Sequence, residues 1–244
     1  MTTKYPDKDI RWKWLKEKGY NVLSDKHQYA YMQSLWASTG IVQSVFVDAK
    51  AGTGKTTLAV AAGVYEVEKQ TYDKIIYIRN AVAIREQGFL PGTVGEKEYP
   101  YFTPLFDALD NLSADGYSNW YETDSGHQKI FMTSTSYLRG VNFKNAFVII
   151  DEAQNLDLNE LQTTLTRIHD SCKVVVIGST RQIDCAKKMK LYSGMTPFEV
   201  YMKHFDGKLS VQHKLVTNYR GEFSNWADEI QLTINEIENT QKQY

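Results

Sequence analysis

A glycine-rich octapeptide, AKAGTGKT at Ala49–Thr56, constrains this chain more than any other stretch. It follows the apolar run QSVFVD and precedes TLAVAA, which has the composition of a helix. A strand, a glycine-rich loop, Lys-Thr and a helix in this order predict a loop whose backbone N–H groups bind phosphate. Gly52 and Gly54 let the backbone turn inward, and the helix N-terminus adds partial positive charge. We therefore predict that this stretch binds a nucleoside triphosphate.

Individual residues of the loop have separate predicted roles. Lys55 is expected to contact the β- and γ-phosphates, and the Thr56 hydroxyl is expected to ligate Mg²⁺. Ala49 stands where the motif usually has its first glycine, a position that accepts a small side chain if φ is negative. The residues predicted to bind the nucleotide here are Ala51, Gly52, Thr53, Gly54, Lys55, Thr56 and Thr57.

A second motif is the apolar run 146–150, which ends in Asp151-Glu152. A buried strand that ends in two carboxylates is typical of the Walker B element. Carboxylates at the end of an apolar strand are costly unless a cation or a partner faces them. We expect Asp151 to hold Mg²⁺ and Glu152 to polarise the water that attacks the γ-phosphate.

Two further side chains are candidates for the nucleotide. Gln28 lies on a predicted helix, 26–37, upstream of the loop, and a glutamine so placed binds the adenine edge in many nucleic-acid-dependent ATPases; a solvated helix residue is the alternative. Gln182 follows the predicted strand 173–178 and is expected beside the Walker B carboxylates. It is predicted to sense the γ-phosphate, with an ordinary loop residue as the alternative.

Three arginines complete the set of candidates. Arg220 follows a late predicted strand, 209–217, a position that suits an arginine finger. A surface arginine is the alternative. Arg79 ends the predicted strand 74–79, where ligands gather in parallel sheets. Arg79 and Arg139 are weaker candidates for contacts with phosphate or nucleic acid.

Length and composition favour one α/β domain. The chain has 244 residues, 42% of them hydrophobic, and a net charge of −1, so a nucleic-acid site would have to be a local patch. We expect a helical segment at 1–40 that packs through Ile10, Trp14 and Leu15 on a single domain at 41–244. The first residues lack the apolar core of a signal peptide, and no stretch reaches the roughly 18 apolar residues of a membrane span. With two cysteines and no CxxC, a reduced, cytoplasmic protein without a zinc site is expected.

Together these motifs resemble the PhoH family of P-loop ATPases, which is similar to superfamily 1 helicase motors. Further matching stretches carry the resemblance: RNAV at 79–82, GFLPG at 88–92, EKEYPYFTPLFDAL at 96–109, SYLRG at 136–140 and FVIIDEAQN at 147–155. The departures are Ala49 for glycine, Asn80 for proline and Ser179 for aspartate. Compact members of the family occur in phage genomes, which would place the protein in the host cytoplasm.

The resemblance implies a RecA-like P-loop NTPase fold, with a mostly parallel central sheet and helices on both faces. It also implies hydrolysis of ATP with Mg²⁺ and a role in remodelling single-stranded RNA or DNA. Because the chain is long enough for only one such domain, an Arg220 finger would need either a folded-back terminal segment or a neighbouring subunit. We expect a homo-oligomeric ring, most simply a hexamer, with Arg220 acting in a neighbouring site. A nucleotide-gated assembly module with slow hydrolysis is the second hypothesis, and a nuclease is the third.

Overall fold

The central sheet of the computed structural model is built from parallel strands. The structure describes residues 10–80, 99–112, 120–122, 126, 128–138, 140–180 and 190–241. The strands within this part of the chain are β1 (Ser44–Ala49), β2 (Lys74–Arg79), β3 (Ile130–Ser134), β4 (Ala146–Asp151), β5 (Lys173–Gly178) and β6 (Ser210–Leu215). They form one sheet in the order β3-β2-β4-β5-β1-β6, and every pairing is parallel. The predicted parallel α/β sheet is confirmed.

Helices cover both faces of the sheet. They are α1 (Ile10–Glu17), α2 (Lys26–Trp36), α3 (Lys55–Glu68), α4 (Thr103–Leu112), α5 (Leu158–Leu165), α6 (Pro197–Phe205), α7 (Glu222–Asp228) and α8 (Ile230–Gln241). Because successive strand residues point to opposite faces, Val45 and Val47 pack with α1 to α4 while Phe46 packs with α5 and α6. None of the helices in the described ranges is both long and apolar enough to cross a membrane.

The predicted helices differ from the observed ones in two places. Helix α6 was not predicted, although Thr196 and Glu199 form a capping box around Pro197 at its start. The spacing of Phe223, Trp226, Ile230 and Ile234 predicts one helix from about Glu222 to the end of the chain, but two are observed, α7 and α8, with Glu229 at the junction. At this junction the Glu229 carboxylate forms an ion pair with Lys50 of the glycine-rich loop.

The first helix packs through two of the three side chains predicted to do so, since Leu15 is buried and the partly buried Trp14 packs against the same apolar cluster. Trp12 and Leu15 are buried in the same apolar cluster as β1 and α3, whereas Ile10 is 68% exposed. Arg11 adds an ion pair, with its Nη2 atom 3.3 Å from Oε1 of the buried Glu66 in α3. Both apolar packing and a partly buried ion pair therefore attach α1 to the rest of the fold.

Lys173, the first residue of β5, is a buried lysine that binds three backbone carbonyls. Its Nζ donates to Ser34 O at 2.6 Å, Ala37 O at 3.1 Å and Val42 O at 2.6 Å. Burial lowers the pKa of Lys173 to about 7, while three acceptors match the three N–H donors of the charged form. The side chain thus binds carbonyls at the C-terminal end of α2 and the segment that leads into β1.

We predict that Lys173→Met lowers the free energy of unfolding by about 1 to 3 kcal/mol, because three buried or partly buried carbonyls lose their donor. Urea denaturation at neutral pH would measure the change. The control is Lys13→Met, at a side chain that is 79% exposed, which should leave stability within about 0.5 kcal/mol. Equal stabilities for the two variants would contradict this role of Lys173.

Candidate nucleotide-binding site

A cleft of about 900 Å³ lies at the carboxyl ends of β1 and β4. This is the edge at which ligands bind in parallel α/β sheets. Of the residues predicted to bind nucleotide, Ala51 does not line the cleft. The remaining residues predicted to bind nucleotide all line it, namely Gln28, Gly52, Thr53, Gly54, Lys55, Thr56 and Thr57. Asp151, Glu152 and Arg220 line it as well. The fold thus brings most of the candidate residues to one cavity.

The glycine-rich loop has the backbone conformation that its sequence predicts. Gly52 and Gly54 have φ angles of +69° and +78°, in the left-handed region that favours glycine. Gly54 is the N-cap of α3, so Lys55 and Thr56 form the first turn of that helix. The partial positive charge of the helix N-terminus therefore faces the cleft, where it favours phosphate.

A later segment of the chain packs directly on this loop. The Tyr219 backbone N–H donates to Gly52 O at 2.8 Å. A Cβ on Gly52 would lie 2.3 Å from Asn218 Oδ1, and that oxygen accepts the Arg220 N–H at 2.8 Å. Lys50 of the loop forms an ion pair with Glu229, with 3.0 Å between Nζ and Oε1. The chain from 218 to 229 is therefore in contact with the loop at several points.

Asp151 accepts two hydroxyl hydrogen bonds at the end of β4. Thr56 Oγ1 donates to Asp151 Oδ2 at 3.1 Å, and the buried Tyr77 hydroxyl donates to the same oxygen. Burial and the neighbouring Asp151 charge raise the pKa of Tyr77 well above its usual range, so it stays a donor. A carboxylate beside a hydroxyl is a set of oxygen ligands that suits Mg²⁺. The observed Thr56–Asp151 contact therefore fits the predicted magnesium site.

Glu152 follows in a left-handed backbone conformation, with φ 54° and ψ 38°. Its Oε1 lies 4.0 Å from Nη2 of Arg79, and the Arg79 Nη1 donates to Tyr101 O at 2.6 Å. Arg79 thus faces the carboxylate predicted to be the general base. Its contact with phosphate or nucleic acid remains a prediction.

Gln28 is buried and contacts the loop. Its Nε2 donates to Thr53 O at 2.9 Å, so the alternative of a solvated helix residue does not hold. Asp25 caps α2 and accepts the Tyr219 hydroxyl at 3.0 Å. Burial acts to raise the pKa of Asp25, but hydrogen bonds from Thr217, from the His27 N–H and from Tyr219 outweigh it, and the pKa is lowered. The adenine contact predicted for Gln28 remains a prediction.

Arg220 lies in the cleft of its own chain. Because β6 pairs in parallel with β1, the turn after β6 emerges beside the glycine-rich loop. The Arg220 Cγ is 3.0 Å from the position that a Gly52 Cβ would occupy. This position fits a terminal segment that folds back on its own site, and action of Arg220 in a neighbouring subunit stays a prediction. Gln182 and Arg139 lie outside the described residues.

The structure shows the surroundings of the three residues that depart from the PhoH sequence motifs. Ala49 ends β1 with its φ outside the positive region, as its side chain requires. Asn80 Nδ2 donates to Asn155 O in the turn after β4. Ser179 is buried, and its backbone N–H donates to the side chain of Gln154 at 3.0 Å.

Two site residues were missed by the sequence reasoning. Tyr77 lies within the apolar run KIIYIR, and the sequence at Ser24-Asp25 predicts only the N-cap of a helix. A buried tyrosine hydroxyl needs a hydrogen-bond partner, which could have marked Tyr77 as a candidate. The identity of the partner depends on which strands are neighbours, and no local pattern contains that information.

We predict that Gly52→Ala weakens nucleotide binding at least tenfold, because the added Cβ is strained at φ +69° and meets Asn218. The Asn218 side chain has little freedom to move, since it also donates to Ser224 Oγ at 3.0 Å. Titration with a fluorescent ATP analogue would measure the affinity.

The matched control for this prediction is Gly40→Ala. A Cβ there meets nothing within 4 Å, so affinity and melting temperature should stay at the wild-type values. Wild-type affinity in the Gly52→Ala protein would show that the contact with Asn218 does not constrain the loop.

Comparison with known proteins shows which family this chain matches. The model of the PhoH-like protein family matches residues 23–227. A PhoH-like protein of Bacillus subtilis (strain 168) is 39% identical over 165 residues, which is 67% of this chain and 50% of that protein. A PhoH-like protein of Mycobacterium leprae (strain TN) is 33% identical over 212 residues, 83% of this chain and 58% of that protein. The chain thus spans about half the length of these relatives.

Solved structures give more distant similarities. The ATPase core of a Sulfolobus solfataricus SWI2/SNF2 protein in complex with dsDNA has a TM-score of 0.44 at 10% identity, covering 78% of this chain and 44% of that one. Domain III of the Thermotoga maritima replication initiation protein DnaA has a TM-score of 0.37 at 19% identity, covering 78% and 62%. At these scores neither structure bears on the function of the chain. The match of the family model over most of its length, on a phosphate-binding loop of the expected geometry, shows that the chain belongs to the PhoH-like family.

Proposed function

We propose that this chain hydrolyses ATP. The observation that carries the proposal is the contact of Thr56 with Asp151 in the same cleft as Lys55 and Glu152. A loop that binds phosphates, oxygen ligands for Mg²⁺ and a carboxylate for the attacking water are the parts that phosphoryl transfer to water requires.

Each side chain has a role that its position supports. Lys55 and the N-terminus of α3 bind the β- and γ-phosphates. Thr56 and Asp151 would hold Mg²⁺, which when bound screens the charge of the phosphates. Glu152 accepts a proton from the attacking water. Arg220, beside its own phosphate loop, neutralises charge on the transferred group.

The finer part of the proposal is that single-stranded RNA or DNA stimulates hydrolysis. One support is the resemblance of the motifs to superfamily 1 motors. The other is the position of Arg79, the last residue of β2, whose side chain faces the proposed general base Glu152. Gln182, which follows β5, is proposed as the γ-phosphate sensor.

Assembly into a homo-oligomeric ring also remains a proposal. The position of Arg220 does not require it, but the last two helices expose large apolar side chains that a neighbouring subunit would cover. Phe223 is 83% exposed, Trp226 is 65% exposed and Ile230 is 59% exposed. Light scattering that gives the mass of a monomer at micromolar concentration would contradict the ring.

One observation favours the second hypothesis, a nucleotide-gated assembly module. The ion pair between Lys50 and Glu229 connects the phosphate loop to these helices, so nucleotide can influence assembly without fast turnover. The nuclease hypothesis has no such support. In the parts of the chain that the structure describes, no group of three or more Asp, Glu, His or Cys residues is arranged to hold a metal ion.

We predict that Glu152→Gln reduces the ATP turnover rate by at least about 100-fold and preserves nucleotide affinity, since general-base catalysis contributes about 10² to 10⁴. Phosphate release measures turnover, and a fluorescent ATP analogue measures affinity. Glu160→Gln on α5, away from the cleft, is the matched control and should hydrolyse at the wild-type rate. Near-wild-type turnover of the Glu152 variant would refute the assignment of the base.

We also predict that single-stranded RNA or DNA raises the ATPase rate at least fivefold in protein whose mass is measured by light scattering. If the protein is an oligomer and only RNA or only DNA raises its ATPase rate, that nucleic acid is the one on which the enzyme acts. A slow ATPase rate that neither RNA nor DNA alters would favour the nucleotide-gated assembly module.

A further inference from the structure

Gln154 is a buried carboxamide that connects the ends of two strands. Its side chain is in the turn after β4, and the residue is 1% exposed. Its Nε2 donates to Glu152 Oε2 at 2.6 Å, and its Oε1 accepts the Ser179 backbone N–H at 3.0 Å. Ser179 directly follows β5. One side chain therefore binds both the candidate general base and the end of the adjacent strand.

The hydrogen-bonding groups fix the orientation of this amide. A backbone N–H can only donate, so the Gln154 oxygen must face Ser179. An ionised carboxylate can only accept, so the amide nitrogen must face Glu152. The reversed amide would place a donor against a donor and an acceptor against an acceptor. Each half of the side chain therefore has a separate partner.

The same bridge continues to the strand that carries the phosphate loop. Thr180, next to Ser179, binds the Asp48 carboxylate through its N–H at 2.9 Å and through its hydroxyl at 3.0 Å. Asp48 lies on β1, one residue before Ala49. Gln154, Ser179 and Thr180 thus connect Glu152 to the start of the phosphate loop by hydrogen bonds across the sheet.

We propose that Gln154 is a positioning residue for hydrolysis, which holds the Glu152 carboxylate at a fixed place relative to the phosphate loop. The proposal rests on the proposed ATPase activity. The Glu152 carboxylate has two described side-chain contacts, Gln154 Nε2 at 2.6 Å from Oε2 and Arg79 Nη2 at 4.0 Å from Oε1. A charge-assisted hydrogen bond of 2.6 Å restrains it more strongly than an ion pair at that distance.

The variant that separates positioning from a structural role is Gln154→Glu. It has the size of the native residue and keeps an oxygen that accepts the Ser179 N–H, but an oxygen replaces the amide donor to Glu152. The contact then persists only if the two carboxyl groups share a proton, which removes the carboxylate needed as the base. We expect the turnover rate to fall about 10- to 100-fold, as for a misplaced catalytic group, with the KM for ATP within about twofold of wild type. Gln154→Met, which removes both hydrogen bonds, should lose turnover and also melt at a lower temperature.

A double-mutant cycle with Glu152→Gln provides the decisive comparison. If Gln154 acts through Glu152, adding Q154E to an E152Q protein causes no further loss in single-turnover hydrolysis. A structural role predicts the same fold-loss in both backgrounds. Gln162→Glu, an exposed glutamine on α5, is the matched control for the added charge and should keep the wild-type rate.

The outcomes distinguish this inference from the function on which it rests. Wild-type protein that does not hydrolyse ATP overturns both. Active wild-type protein with an equally active Q154E variant overturns the positioning role alone. A Q154E protein that loses ATP binding and melts early also overturns it, because the residue would then serve the fold.

Discussion

The parallel pairing of the strands is the constraint on which the rest of this structure depends. Parallel strands place all their carboxyl ends at one edge of the sheet, so groups that are far apart in sequence meet there. The loop after β1, the carboxylates after β4 and the turns after β5 and β6 all lie at this edge. The helices cover the two faces of the sheet and leave this edge free for a cleft. The proposed chemical roles therefore depend on the parallel pairing, which brings the residues to the cleft.

Much of the fold and part of the site could be predicted from sequence. Buried parallel strands are nearly continuous apolar runs, so β1, β4 and β5 are recognisable without knowledge of their neighbours. The left-handed φ angles of Gly52 and Gly54 follow from local composition, as does the placement of Lys55 and Thr56 in the first turn of a helix. These are short-range properties of the chain. Helix α6 also has a local signal, since Thr196, Pro197 and Glu199 are the residues of a capped helix start.

The rest of the site depends on contacts that no local pattern contains. Tyr77 meets Asp151 because β2 pairs with β4 in a register that places Arg79 opposite Asp151. Gln154 meets Ser179 because β4 pairs with β5. The length of the chain allows Arg220 to lie at its own site or at a neighbouring one, and the parallel pairing of β6 with β1 places it beside its own loop. The order of the strands in the sheet, which the sequence alone does not determine, decides the positions of all three residues.

The contact between residues 50 and 229 also constrains the order of events during synthesis. Proteins are made from the N-terminus, and the phosphate loop leaves the ribosome long before its partners Tyr219 and Glu229 exist. Strand β6, which brings these partners to the loop, is likewise made late. The nascent chain therefore carries the nucleotide motif in a form that lacks these contacts, and the complete site is a property of the nearly finished domain.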